Sequence, residues 1–192
     1  SIDPVFAHAS VGFMVIDTGT GDTLAVKNSR TSLSPASTVK LFTTATAFQV
    51  LGKDYAPKTR VYFDGILGKD SILQGNLWIR GGGDPSLGSK FYNAEGIEDT
   101  FLRTWADTLI KMGVKRINGS VVADASEFGY QGVPDGWNWA DMGNYYGAGP
   151  CGLTIYDNTL KYVFKTAGNG SRSTLIETVP ALAGLNFNNY IT

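Results

Sequence analysis

The sequence predicts an α+β chain. Two helical patterns, over residues 34–52 and 98–112, stand among short apolar runs separated by Gly-containing turns. Charged residues are 17% against a usual ~25%, and Gly numbers 24 of 192. Four Trp, nine Tyr and ten Phe complete that picture of strands, turns and shaped loops rather than long surface helices. At 43% hydrophobic the chain has material for a packed core, and its length suits one domain or slightly more.

The same composition excludes several function classes. Sixteen basic and seventeen acidic residues give a net charge of −1, and no Lys/Arg cluster stands out, so no nucleic-acid partner is expected. No apolar run approaches the ~20 residues of a membrane-spanning helix, leaving peripheral association as the only membrane contact expected. The chain starts at Ser1 without a signal-like segment, so any export signal is expected to have been removed. The single Cys151 forbids an internal disulfide, and the single His8 forbids a multi-histidine metal centre. No metal or cofactor is implied. His8 is also the one imidazole a Ser-His-Asp triad could use, and it reads as a residue without chemical role.

The elements follow in order. Residues 10–17 read as a strand, Thr18–Asp22 as a turn and Thr23–Lys27 as the returning strand of a hairpin. Ser34 then offers an N-cap and Pro35 a first helical residue. The helix runs through Phe42, Ala45, Phe48 and Leu51 to Gly52 as C-cap. Its many Thr are weak helix formers, so tertiary packing has to hold it and it is expected to be buried. Arg60–Phe63 and Asn76–Arg80 read as strands, Glu98–Met112 as a helix ending at Gly113, and Ile117–Ala123 as a strand. Gly132–Pro150 is a loop dense in Gly, Trp and Tyr; Thr159–Lys165 and Leu175–Val179 are the last strands. The change of character near residue 59 places a boundary between segments 1–58 and 59–192.

Chemistry concentrates in Ser37-Thr38-Val39-Lys40. In the first helical turn, the Ser37 hydroxyl meets the positive end of the helix dipole, which favours a developing oxyanion. Lys40 follows three residues later on the same face, with Cβ atoms ~5–6 Å apart. Burial would lower the pKa of Lys40 and let a neutral amine take the Ser37 proton, a nucleophile–base pair that needs no His. With thirteen Ser and ten Lys, chance supplies about 0.7 such spacings. The capped apolar helix behind a hairpin is what singles this one out.

Further blocks accompany it in order. Leu33 to Leu41 is followed by Leu51-Gly52-Lys53-Asp54-Tyr55, Leu73-Gln74-Gly75-Asn76-Leu77 and Gly82-Gly83-Asp84-Pro85-Ser86-Leu87. Val121–Asp124 and Trp137-Asn138-Trp139-Ala140-Asp141-Met142 complete the series. Over residues 10–160 the chain resembles DacB-like penicillin-binding proteins, the D-Ala-D-Ala carboxypeptidase/endopeptidase family. The resemblance implies a partial penicillin-binding/β-lactamase-like lobe (1–58: hairpin plus nucleophile helix) and a mostly β inserted domain (59–192). It implies a periplasmic or otherwise extracytoplasmic serine peptidase acting on peptidoglycan stem peptides and acylated by β-lactams. Ser37 would attack the carbonyl of the terminal D-Ala-D-Ala bond, with Lys40 as general base and the Ser37 N–H as an oxyanion donor. Asp141, with Tyr146 five residues on, would meet the amino-bearing side chain of the stem peptide, a carboxylate beside aromatic faces suiting an ammonium group.

The family pattern also contains Ser-x-Asn and Lys-Thr-Gly motifs. Neither occurs here. Lys165-Thr166-Ala167-Gly168 and Tyr156-Asp157-Asn158 are near misses, read as decoys because they lie too close together in the chain. The expectation is an N-terminal fragment holding the nucleophile and its lysine without a complete site. The alternatives are a non-catalytic cell-wall-binding module and a β-lactamase or esterase on the same scaffold. Gly81–Pro85 reads as a Gly-rich turn with Asp84 capping a helix that begins at Pro85. Asp124 reads as a turn residue and Cys151 as a small packed thiol.

Overall fold

The computed structural model describes residues 3–94, 97–129, 131–182, 184 and 186–191. Among the described residues strands come in runs of two, four and four, with one α-helix between successive runs, an α+β mixture. The chain divides into two compact units, Ser1–Tyr55 and Ala56–Thr192.

In the first unit β1 (Phe13–Ile16) and β2 (Thr23–Lys27) form an antiparallel hairpin, pairing Phe13 with Lys27 and Met14 with Val26. Asp17 makes the turn. Its carboxylate accepts the N–H groups of Gly19 at 2.7 Å and Thr20 at 2.9 Å. Those donors hold the carboxyl below its usual pKa, the Thr20 N–H most of all. A 3-10 turn, Ala36–Thr38, leads into α1 (Val39–Leu51), which ends at Gly52 with φ +83°.

Two expectations are corrected here. Pro35 rather than Ser34 precedes the first turn, and no side chain caps it. The Thr38 hydroxyl instead donates back to the Pro35 carbonyl. Nor is α1 buried: it is apolar on every side, yet Leu41, Phe42 and Val50 are each more than 70% exposed within this chain. The helix holds its Thr locally. Thr44 donates to the Lys40 carbonyl at 2.7 Å and Thr43 to that of Val39 at 3.4 Å, the back-bonding that lets a hydroxyl sit in a helix.

Among the described residues the second unit is built on eight strands and one α-helix. β3 (Arg60–Phe63) and β4 (Ile66–Leu67) run antiparallel to β6 (Leu77–Arg80) and β5 (Ile72–Gln74) respectively. β7 (Arg116–Asn118) and β8 (Val121–Asp124) lie parallel to β5 and β6. Two three-stranded sheets result, β4-β5-β7 and β3-β6-β8. They share one register. Ile72 faces Arg116 and Leu77 faces Val121, the same offset on both sides of the break. The pair is therefore one ribbon creased along a line through Gly65, Gly75 and Gly119. Sequence reading gave a single strand over 117–123 and turns where β4 and β5 lie. The crease explains both misses.

The crease needs glycine. A Cβ on Gly75 would stand 2.2 Å from the Asp64 carbonyl oxygen. Side chains replace the missing ladder bonds. Asp64 accepts the Asn76 N–H at 2.8 Å and the Trp78 indole N–H at 2.7 Å, and Asn76 Oδ1 accepts the Ser120 N–H at 3.0 Å. The Asn76 N–H, then the Trp78 indole, keeps the Asp64 carboxyl below its usual pKa. Leu73 and Leu77, on either side of Gly75, are buried and form the core with Val114 and Tyr156.

α2 (Thr100–Lys111) lies close to the range expected from its periodicity. Phe101 packs edge-on against Trp105, with ring centroids 5.1 Å apart. β9 (Lys161–Lys165) and β10 (Thr174–Val179) close the unit as an antiparallel pair. Among the described residues no helix is long and apolar enough to cross a membrane.

Asp84 caps a turn, not a helix: its Oδ1 accepts the Ser86 N–H at 2.8 Å and the Ser86 hydroxyl at 2.6 Å, and no helix follows. The glycines before it are spaced by backbone contact. A Cβ on Gly81 would meet the Gly152 carbonyl oxygen at 2.2 Å.

Candidate active site

Ser37 lies in the middle of the 3-10 turn, and Lys40 is the second residue of α1. The change from 3-10 to α geometry keeps the two side chains on one face. Lys40 Nζ donates to Ser37 Oγ at 2.9 Å. Both residues are exposed within this chain. The residue before the serine, Ala36, holds φ +43°, a left-handed conformation that costs a non-glycine residue roughly 1–2 kcal/mol. That bend carries the chain from Pro35 into the turn and sets the direction of Ser37. Sequence reading missed it, since alanine gives no sign of a left-handed backbone. His8 is exposed, in the first unit.

In the second unit, two short 3-10 turns, Trp139–Asp141 and Tyr145–Gly147, shape the aromatic loop. Asn138 caps the first, its Oδ1 accepting the Ala140 N–H at 3.1 Å. The Tyr146 hydroxyl donates to Asp141 Oδ1 at 3.2 Å. Partial desolvation, and after it the hydrogen bond to the Asp141 carboxylate, raise the Tyr146 phenol above its usual pKa. It stays protonated, a donor to the carboxylate, throughout the neutral range. Trp139, at 84% exposure, lies two residues before Asp141 in the chain.

Three further residues join this pair. The Tyr145 ring is 5.3 Å from that of Tyr146 and 6.3 Å from that of Phe91. Lys90 Nζ sits 5.2 Å from the ring centroids of both Phe91 and Tyr145. The only sequence signal was the run Lys90-Phe91-Tyr92. Its approach to residue 145 is a tertiary fact.

A cavity of about 700 Å³ borders both ends of the 132–150 loop, lined in part by Trp78, Asp124, Gly132, Pro150, Cys151 and Asn158. Its polar groups are engaged. Asp124 accepts the Ser126 N–H at 3.0 Å and lies 3.9 Å from Arg80, and Cys151 Sγ donates to the Leu153 carbonyl at 3.3 Å.

The fold has solved counterparts. It matches penicillin-binding protein 4 (DacB) of Haemophilus influenzae with a TM-score of 0.68 and 27% identity, over 85% of this chain and 34% of that one. A crystal structure of the same protein complexed with a novel β-lactam matches with a TM-score of 0.60, at 25% identity. The chain thus has a partial penicillin-binding-protein fold. Residues 2–191 match the model of the D-Ala-D-Ala carboxypeptidase 3 (S13) family, and the chain belongs to that family. It is 32% identical over 153 residues to a D-alanyl-D-alanine carboxypeptidase of an Actinomadura species, covering 80% of this chain and 26% of the relative. It is 30% identical over 173 residues to the D-alanyl-D-alanine carboxypeptidase DacB of H. influenzae, covering 90% and 34%. The chain spans between a quarter and about a third of the length of these relatives.

Proposed function

We propose that this chain carries the nucleophile of a serine-type D-Ala-D-Ala carboxypeptidase/endopeptidase acting on peptidoglycan stem peptides outside the cytoplasm. The observation that carries the reading is the 2.9 Å contact between Lys40 Nζ and Ser37 Oγ at the head of α1. In the reaction, neutral Lys40 takes the proton from Ser37 Oγ as that oxygen bonds to the carbonyl carbon of the terminal D-Ala-D-Ala peptide. The C–N bond breaks, the proton passes to the departing D-Ala amine, and an ester remains on Ser37. Water then hydrolyses the ester, releasing the shortened peptide and regenerating the hydroxyl. A β-lactam presents the same kind of amide and leaves its opened ring on Ser37. Asp141 and Tyr146 receive the amino-bearing side chain of the stem peptide.

The exposure of α1 supports an incomplete site in this stretch of chain. A helix apolar on every side is one that other protein covers. That cover would also supply the desolvation a lysine needs to accept a proton. Ser-x-Asn and Lys-Thr-Gly groups belong, on this reading, to the covering part. The same exposure favours a second reading for the 192 residues alone, a stem-peptide-binding module without turnover.

Intact-mass measurement after incubation with penicillin tests the proposal, on the 192-residue chain and on the full-length gene product. A covalent adduct on the full-length product, lost in Ser37→Ala, is expected. An unmodified full-length product overturns the proposal. An adduct on the 192-residue chain would overturn the incomplete-site reading alone.

A further inference from the structure

Tyr156, Asp157 and Asn158 hold φ values of +51°, +57° and +52° in succession, and none is glycine. L-residues visit this region singly and seldom in series. Such a segment persists where its surroundings over-determine it. Each of the three side chains is tied to a different segment. The Tyr156 hydroxyl donates to Asp99. Asp157 Oδ2 accepts the backbone N–H of Lys90 at 3.2 Å. Asn158 Nδ2 donates to the Gly149 carbonyl at 3.0 Å.

Two of these ties converge. The Lys90 end holds Lys90 and Phe91; the Gly149 end holds the loop of Asp141, Tyr145 and Tyr146. The two segments meet where Phe91 packs on Tyr145 and Lys90 lies over both rings. The loop's 3-10 turns are themselves short-range, closed by bonds such as Asn144 N–H to the Asp141 carbonyl at 2.9 Å and Gly147 N–H to that of Asn144 at 2.9 Å. They shape the loop without fixing it to residues 90–91. The Lys90 ammonium on the Tyr145 ring is, moreover, an internal instance of the cation this wall accepts.

We propose that the left-handed turn Tyr156–Asn158 is a clamp that positions the Asp141–Tyr146 wall, with Asp157 and Asn158 as positioning residues for recognition of a cationic side chain. The proposal rests on the reading of Asp141 and Tyr146 as stem-peptide contacts. The left-handed residues lie in the clamp, and Asp141, Tyr145 and Tyr146 are not among them.

Calorimetric titration of the 192-residue chain tests this with two probes, Nα-acetyl-L-Lys-D-Ala-D-Ala and its Nε-acetylated form. The wild-type chain is expected to favour the free amine by about tenfold, a charge-assisted hydrogen bond's worth. Asp157→Asn keeps an acceptor for the Lys90 N–H and should keep the preference. Asp157→Gly and Asn158→Gly adopt the same backbone without strain but drop one tie each, and should reduce the preference to about twofold or less. The proton signals of the Tyr145 ring, shifted by Phe91 and Tyr146, should move in the same two variants and not in Asp157→Asn. Asn158→Gly decides the matter if Asp157→Gly does not fold. A preference that Asp141→Ala erases but both glycine variants retain overturns the clamp and leaves the stem-peptide reading standing. A wild-type chain without preference overturns both.

Discussion

Lys40 reaches Ser37 from one helical turn away, Nζ to Oγ at 2.9 Å, without another side chain between them. The contact exists because a tight 3-10 turn hands over to an α-helix between the two residues. With the amine protonated, Lys40 donates to the serine. With the amine neutral, the same distance lets the serine hydroxyl donate to it. One geometry therefore serves both protonation states of the pair.

If Lys40 is the base, removing it should slow acylation without changing the nucleophile. Lys40→Ala in the full-length product is expected to lower the rate of penicillin acylation by about 10²–10⁴-fold. Lys40→Arg should fare no better, since a guanidinium does not give up its proton. Time-resolved intact mass measures both, with Ser37→Ala as the zero.

Ala36 holds φ +43°, a region in which a β-branched side chain is disfavoured further than a methyl group. Ala36→Val is expected to destabilise the chain by roughly 1–3 kcal/mol, and Ala36→Gly to leave stability equal or higher. Thermal unfolding distinguishes the two directions.

Gly75→Ala forces a methyl group against the Asp64 carbonyl, 2.2 Å away. The neighbour is backbone, so relief requires opening the crease. A loss of roughly 2–4 kcal/mol is expected in urea denaturation. Leu73→Ala, at a side chain with no exposure, should cost roughly 2–5 kcal/mol by emptying the core on the same strand.

Asp64 makes the second unit acid-sensitive. Its folded carboxyl titrates below the ordinary value, so an unfolded chain takes up the proton first as pH falls. Its contribution to stability is present above pH ~4 and is lost as pH falls from there through the lower folded pKa. Denaturant midpoints measured between neutral and acid pH should fall in the wild type and fall less steeply in Asp64→Asn. An equal slope in both would assign the acid sensitivity to other carboxylates. Tyr156, whose phenol burial, then the Asp99 hydrogen bond, push up to about 12, should stay un-ionised well past the usual tyrosine range in a spectrophotometric titration.

Much of the fold was legible in the sequence because it is local. The hairpin over β1 and β2 follows from an apolar run, an Asp-Thr-Gly turn and a second run. α2 follows from Phe101, Leu102, Trp105 and Leu109 at helical spacing. What was not legible depends on residues far apart. Nothing in Gly75 alone says that the Asp64 carbonyl lies against it, so a creased ribbon reads as separate strands and turns. The burial of α1 was inferred from its many weak helix formers, which need tertiary packing, yet among the described residues of 1–55 no element covers it. Within the candidate site, Ser37 with Lys40 came into view by spacing on one helix face, whereas Asp141 with Tyr146 came into view only through the family resemblance. Lys90, Phe91 and the left-handed turn at 156–158 reach that loop only through tertiary contact.

The uninterrupted register across the crease makes length, more than residue identity, the guarded quantity in this sheet. One residue added between Ile72 and Arg80 would throw half of the strand's side chains to the opposite face. Leu77 would leave the core while Leu73 remained. A matching addition between Arg116 and Asp124 would realign β6 with β8 but leave β3 out of step. The three strands thus work as a vernier, and a length change in this sheet survives only when all three strands change together.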